Sequence, residues 1–405
     1  MLKKPTEHTK ALAKGLLIAL LTGICGGFIG SLFHICIDFV TELRQENMWI
    51  VFLLPLGAVA VTALYTLFRK SAPLDTDRVF DSVREDKAVP KPLLPLIFAG
   101  SAISHLVGAS VGREGAALQL GGSTGYAIGR LVRLDGNGVR ISVMSGMSAV
   151  FTALFGTPLA ASVFALEVTS VGSMHYGALF PCVLSAVAAQ CVASAMGIEP
   201  VRFAFGAWNI TSPAFATQVI VLAVLCALLS ILFCKTIKTM ERGAKTLVPN
   251  VYLRAFAGGM LVLGLTYVCG TFDYNGAGMD IIGLALDGKV SYEAFALKLI
   301  FTAVSLAAGF KGGEIVPAFF VGSAFGCVAA PLIGMDASCG AAIGFIALFC
   351  GVVNCPLASV LLAAEIFGAE SLLMFGLVCA VSYMMSGKGG LYRSQKIVYS
   401  KLDID

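Results

Sequence analysis

Charge is what this sequence has least of. Of its 405 residues only 13% are Asp, Glu, Lys or Arg, and 58% are hydrophobic. A soluble globular domain carries about 25% charged residues, so a soluble fold is excluded. Strict polar–apolar alternation is also missing. The apolar runs are continuous, which excludes a membrane β-barrel and leaves an all-α polytopic membrane protein. Histidine is sparse: His8, His34, His105 and His175 are scattered without ligand spacing. No HExxH or GxSxG is present, so metalloenzyme and hydrolase chemistry are not expected. None of the twelve cysteines belongs to a CxxC pair. They sit mostly in apolar stretches, where Cys acts as a small hydrophobe, so neither a disulfide framework nor a metal site is expected. No basic cluster is interleaved with a stacking platform, so nucleic acid is not expected as a partner. Nothing calls for a cofactor.

What remains is a series of apolar segments, at about 11–44, 48–68, 92–109, 113–132, 138–155, 157–171, 174–197, 214–240, 251–270, 294–309, 315–333, 339–353, 356–367 and 370–386. The first begins like a signal peptide but runs too long and lacks a small-residue cleavage site, so it reads as a retained helix. Several others fall short of the ~20 residues that a full span needs. Gly112, Gly115, Gly156, Gly312, Gly313 and Gly351 interrupt or bound them. Short segments with glycine breaks predict half-helices that stop near the midplane, which is tolerated only where protein or water satisfies the backbone. Basic residues gather at Lys3, Lys4, Lys10 and Lys14; from Arg69 and Lys70 to Lys91; at Arg130, Arg133 and Arg140; at Lys235, Lys238, Arg242 and Lys245; and from Lys388 to Lys401. The positive-inside rule puts these loops, and both termini, in the cytoplasm.

The chain resembles itself. "GREGAALQLGGS" (112–123) and "GGEIVPAFFVGS" (312–323) keep the same internal spacing. "TPLAASVFALE" (157–167) and "CPLASVLLAAE" (355–365) follow them in the same order. We read two structural halves, residues 1–200 and 201–405. Interrupted segments at matching positions of two halves point to an inverted-repeat transporter with its site between them.

A helix starting at Gly112–Gly115 offers amides without intrahelical partners and a positive dipole end. Glycine lets a ligand approach closely. Gly312–Pro317 offers a second such start. Two of them facing each other would hold a small anion. Glu114 then reads as a competitor for the same donors, released by protonation. An acid at this depth costs about 2.5–3.5 kcal/mol on insertion scales and by default marks function. The alternative is that Glu114 merely pairs with Arg113 or caps its helix. Glu314 is either a second titrating group or a cap, with the cap favoured. Glu167 and Glu365 read as interfacial caps or dimer contacts, and Lys298 and Lys311 as snorkelling or pairing residues.

These motifs resemble the CLC family of chloride channels and proton-coupled anion exchangers. GREGA resembles its GxEGP motif, GGEIVP its GxFxP motif, GTPLAASVFALE the segment that follows, and "GGLYRSQ" (389–395) its last helix. The resemblance implies a CLC-like inverted repeat with short, tilted and re-entrant helices, and a homodimer with one pathway per subunit. Glu114 matches the gating and proton-carrying glutamate. The amides around Gly112, Gly115, Ala116, Ile315 and Val316, with the hydroxyl of Tyr392, match the anion donors. Ala116 stands where the family has proline, Ile315 where it has phenylalanine, and Val168 where exchangers often carry a second glutamate. "APLDTDRVFDSVRED" (72–86) replaces the serine loop; it holds no methionine, and Thr76 is the residue expected near the anion. These departures resemble the fluoride/proton antiporter branch. No cytoplasmic CBS domain is expected.

The expected function is halide transport across the plasma membrane, by proton-coupled antiport of fluoride or chloride past Glu114. The alternative on the same fold is a passive voltage-gated chloride channel. An unrelated transporter of organic solutes would also suit broken helices, but not the four matched motifs. The expected partners are the halide, the proton, membrane lipid and a second copy of the chain.

Overall fold

The computed structural model describes residues 5–68, 74–208, 210, 212–399 and 401. Of the positions singled out above, Lys3, Lys4, Arg69, Lys70, Ala72 and Pro73 lie outside them. Within the first part of the chain run α1 (Pro5–Glu46), α2 (Leu54–Phe68), α3 (Thr76–Glu85), α4 (Leu93–Val107), α5 (Glu114–Leu131), α6 (Gly136–Phe155), α7 (Pro158–Glu167) and α8 (Leu179–Ala195). The remainder holds α9 (Pro213–Leu247), α10 (Val251–Cys269), α11 (Met279–Leu286), α12 (Ala294–Ala308), α13 (Ile315–Leu332), α14 (Ala337–Val353), α15 (Pro356–Phe367) and α16 (Leu372–Met385). Two short strands, β1 (Ser170–Val171) and β2 (Lys396–Ile397), pair in parallel and tie the C-terminal segment to the end of α7. Among the described residues, seven helical stretches are long and apolar enough to cross a membrane.

The innermost helices are held together by missing side chains. Gly121 and Gly125 of α5 lie against Gly146 and Ser142 of α6; a Cβ on Gly121 would come within 2.7 Å of the Gly146 carbonyl carbon. Gly322 and Gly326 of α13 lie in the same way against Gly344 and Gly340 of α14. Small residues let backbones approach where lipid supplies no hydrophobic force between helices. α5 and α13 are consequently buried over most of their length.

Five helix starts are capped by side chains of the residue before them. Asp75 accepts from the Arg78 amide at the start of α3, Asp135 from Gly138 at α6, Ser212 from Phe215 at α9, Asn250 from Tyr252 and Leu253 at α10, and Asp336 from Cys339 at α14. Such caps satisfy amides that have no intrahelical partner. α7 and α15 cap each other. Glu365 at the end of α15 accepts from Leu159 and Ala160 at 3.0 and 2.8 Å, and Glu167 at the end of α7 accepts from Leu357 and Ala358 at 3.4 and 3.0 Å. Of the two readings held for this pair, capping is the one the geometry carries.

Several expectations need correction. Gly115 and Gly351 sit inside α5 and α14 and break neither helix. α3 occupies a stretch read as loop, and α11 lies between the apolar segments. Lys298 does not snorkel and pairs with no acid among the described residues. It is fully buried, its ammonium donates to the carbonyls of Tyr274 and Gly276 at 3.2 and 2.7 Å, and it lies 5.0 Å from the Phe320 ring centroid. Lys311 lies over the Tyr65 ring at 4.7 Å.

Candidate functional site

The loops leading into α5 and α13 meet. Gly112 N–H donates to the Gly313 carbonyl at 2.7 Å, and Gly313 N–H donates back to the Gly112 carbonyl at 2.5 Å. The contact needs glycine on both sides. A Cβ on Gly115 would lie 2.7 Å from Gly313 Cα, and one on Gly312 would lie 2.6 Å from Val111 Cβ. The first turns of α5 and α13 therefore start side by side.

Neither start carries a side-chain cap. Arg113 and Glu314 hold the capping positions, and neither makes a capping hydrogen bond. The preference for Glu314 as a cap is thus overturned. Pro317, in the first turn of α13, has no amide to satisfy. The amides of Ala116, Ile315 and Val316 belong to residues that are wholly buried. Buried, uncapped helix amides form an anion site.

Glu114 occupies that place. It is fully buried, and its Oε2 accepts from the Arg113 amide at 3.0 Å. The same oxygen lies 2.7 Å from where a Gly112 Cβ would stand, a position also 3.1 Å from Val316 Cβ and from Pro317 Cδ. The Val316 amide, from the other helix start, faces the carboxylate as well. Its Oε1 has no hydrogen-bond partner among the described residues. The pairing with Arg113 foreseen as the alternative also exists, but loosely. Arg113 Nε is 3.6 Å from Glu114 Oε1, while Arg113 Nη1 binds Asp38 Oδ1 at 2.9 Å. Asp38 is itself 2.9 Å from His34 Nε2. Arg113 is thereby tied away from Glu114 by a firmer partner.

On one side of this junction a cavity of about 250 Å³ is bordered by Thr76, Gln119, Glu314 and Tyr392. Tyr392 is 8% exposed, its ring meets Phe80 edge-on at 5.0 Å, and its buried hydroxyl is unpartnered. Thr76, the first residue of α3, accepts a hydrogen bond from Gln119 Nε2 at 3.0 Å. Gln119 Oε1 and Ser123 Oγ are likewise buried without partners. Gln119 and Ser123 escaped the sequence reading. The signal was there, as two polar side chains four residues apart in a run otherwise made of Gly, Ala and Leu from Gly115 to Ser123. A separate cavity of about 500 Å³ borders Arg113 and Val316 and is lined by Arg44, Asp38 and His105.

Two uncapped helix starts back to back in a polytopic bundle, with a carboxylate in their amide pocket and unpartnered hydroxyl and amide groups in an adjoining cavity, define a membrane protein that handles small anions. Residues 56–387 match the voltage gated chloride channel family, and the chain belongs to it. A "Chloride/fluoride channel protein" of Pseudomonas syringae pv. tomato is 35% identical over 397 residues, covering 96% of this chain and 88% of that protein. The "H(+)/Cl(-) exchange transporter ClcA" of Vibrio parahaemolyticus is 26% identical over 387 residues, covering 86% and 81% respectively. A crystal structure of a CLC-type fluoride/proton antiporter superposes with a TM-score of 0.92 at 29% identity, covering 98% of this chain and 100% of that one.

Proposed function

We propose that this chain exchanges fluoride for protons across the membrane and is a transporter without enzymatic chemistry. The observation that carries the reading is the place of Glu114. It is a buried carboxylate lying among the uncapped amides of both helix starts, with one oxygen free of any hydrogen bond. A carboxylate and a halide compete for the same donors, so anion entry and protonation of Glu114 favour each other. The likeness to the fluoride/proton antiporter and the chloride/fluoride channel protein supports fluoride as the anion. A small ion with tightly held water needs dense donation to leave it. The amides of Gly115, Ala116, Ile315 and Val316 and the hydroxyls of Tyr392 and Thr76 supply donors along one path. Glu314, beside Tyr392 and without a cap to make, is available as a second proton-bearing group.

The same reading makes residues 1–200 and 201–405 inverted halves facing each other across the Gly112–Gly313 bridge. It places the protein in the plasma membrane as a homodimer in contact with lipid, with both termini cytoplasmic. Leu159, Leu357 and Leu373, large apolar side chains exposed on α7, α15 and α16, suit contact with a second copy or with lipid. The test is coupled flux. In proteoliposomes without a pH gradient, an imposed fluoride gradient should drive protons uphill. Fluoride movement with no proton movement would leave a passive channel, and chloride driving protons as well as fluoride does would overturn the ion assignment.

A further inference from the structure

Away from the anion path, a cavity of about 340 Å³ opens where β2 crosses the end of α3 and the first turns of α6. Arg84 of α3, Arg140 of α6, Lys396 of β2 and His175 from the loop before α8 line it, with the hydroxyls of Ser170 and Ser173. No Asp or Glu is among the residues that line it. The acids nearby pair with the two guanidinium groups without lining the cavity. Asp81 is 3.1 Å and Glu85 3.6 Å from Arg84 Nη2, and Asp86 is 3.8 Å from Arg140 Nε. Arg84 Nη1 donates to the Ser394 carbonyl.

Two atoms remain unaccounted for. The Nε of Arg84 and the Nε of Arg140 are both buried and make no hydrogen bond among the described residues; Asp86, 3.8 Å from Arg140 Nε, is an ion-pair contact only. A buried donor without a partner is costly, and here two guanidinium donors border one concave space. Guanidinium forks suit a planar or tetrahedral oxyanion, and separate positive groups with hydroxyls between them suit an anion with several oxygens. A halide, a single small sphere, can reach only one or two such donors at a time.

We propose that this cavity binds a phosphate group, carried either by an anionic phospholipid of the adjoining leaflet or by a soluble phosphate species. Basic clusters at a membrane face bind anionic headgroups, and the volume leaves room for a phosphate and its first substituent. The occupant would join three parts of the chain, since Arg84 ends the helix that Thr76 begins and Lys396 closely follows Tyr392. Binding there would clamp the C-terminal segment carrying Tyr392 onto α3.

The full-length protein in nanodiscs of phosphatidylcholine tests this. In one arm inorganic phosphate is titrated in. In the other, phosphatidylglycerol is added to the disc in phosphate-free buffer. A rise in Tm in either arm is expected, and the responding arm names the source. The rise should vanish in Arg140→Gln/Lys396→Gln, two side chains in contact with water whose loss leaves the unliganded Tm near that of the parent. Should that pair fail to fold, His175→Gln, an exposed position, should reduce the response at least severalfold. The proposal is overturned if neither arm raises Tm, if the variants respond like the parent, or if sodium chloride at equal ionic strength reproduces the shift.

Discussion

Gly112 and Gly313 exchange both of their backbone hydrogen bonds, at 2.7 and 2.5 Å, across the centre of the molecule. Two residues of antiparallel bridge fix two helix starts side by side, and glycine at each is what lets them touch. The chain spends Asp, Ser or Asn to cap α3, α6, α9, α10 and α14. At this junction it places Arg113 and Glu314 at the capping positions and caps with neither. The unsatisfied amides are the chemical consequence, and Glu114 is the group that answers them.

If Glu114 carries the proton and competes with the anion, Glu114→Gln removes one role and keeps the shape. Proton movement driven by a fluoride gradient should fall at least about a hundredfold, a change of about 2.7 kcal/mol in barrier terms. Fluoride efflux should persist. The measurement is paired fluoride-electrode and pH-dye recording on the same proteoliposomes. Undiminished proton transport in the variant would sink the assignment.

Gly115→Ala tests the junction itself. Its Cβ would stand 2.7 Å from Gly313 Cα. Backbone cannot yield as a side-chain tip can, and overpacking of this kind costs about 1–3 kcal/mol. The variant should show a lower Tm and at least about tenfold slower fluoride efflux, whereas Gly243→Ala, at a position with nothing within 4 Å of the added atom, should match the parent in both assays.

Much of this was legible in the residues. Long apolar runs announce helices such as α9 and α10 because lipid enforces hydrophobicity around the whole cylinder. The GREG and GGEIVP stretches announce the two helix starts, because only glycine permits their approach. α3 was not legible as an apolar segment, since it is short and amphipathic, although Asp75 before Thr76 is a capping signal. α11 has only eight residues between glycine-rich turns. The exchange of caps between α7 and α15 joins residues far apart in sequence, and no local pattern encodes it. The burial of Lys298 was missed for the same reason: its partners are main-chain carbonyls of a loop, which any sequence would supply.

Those exchanged caps give a stability prediction. Glu167 and Glu365 each accept two amides of the other helix. Replacing either by alanine leaves one buried amide (Ala160 or Ala358) and one at an exposed residue (Leu159 or Leu357) without its acceptor, at a cost of about 1–3 kcal/mol. The pairs share no partner, so the double variant should lose nearly the sum. Tm in detergent reports the loss, and fluoride efflux below the melting range should keep its proton coupling. Loss of coupling in Glu167→Ala with an unchanged Tm would instead make Glu167 part of the proton path.

Tyr392 and Gln119 separate structure from transport most cleanly. The Tyr392 hydroxyl is buried and bonded to nothing, while its ring is held against Phe80. Tyr392→Phe keeps the ring and removes only an idle donor, so stability should hold or rise slightly. If that hydroxyl serves the anion, the ratio of fluoride to chloride efflux must change, because the loss of one donor weighs most on the ion that gives up most hydration. Gln119→Leu removes the bond to Thr76 together with an unpartnered carbonyl oxygen. It should loosen Thr76 and alter efflux in the same cavity, with Glu114 and proton coupling intact. Both variants are read by fluoride and chloride efflux from matched proteoliposomes, with Tm measured alongside. An unchanged anion ratio in Tyr392→Phe would remove the hydroxyl from the path and leave the amides of α5 and α13 as its donors.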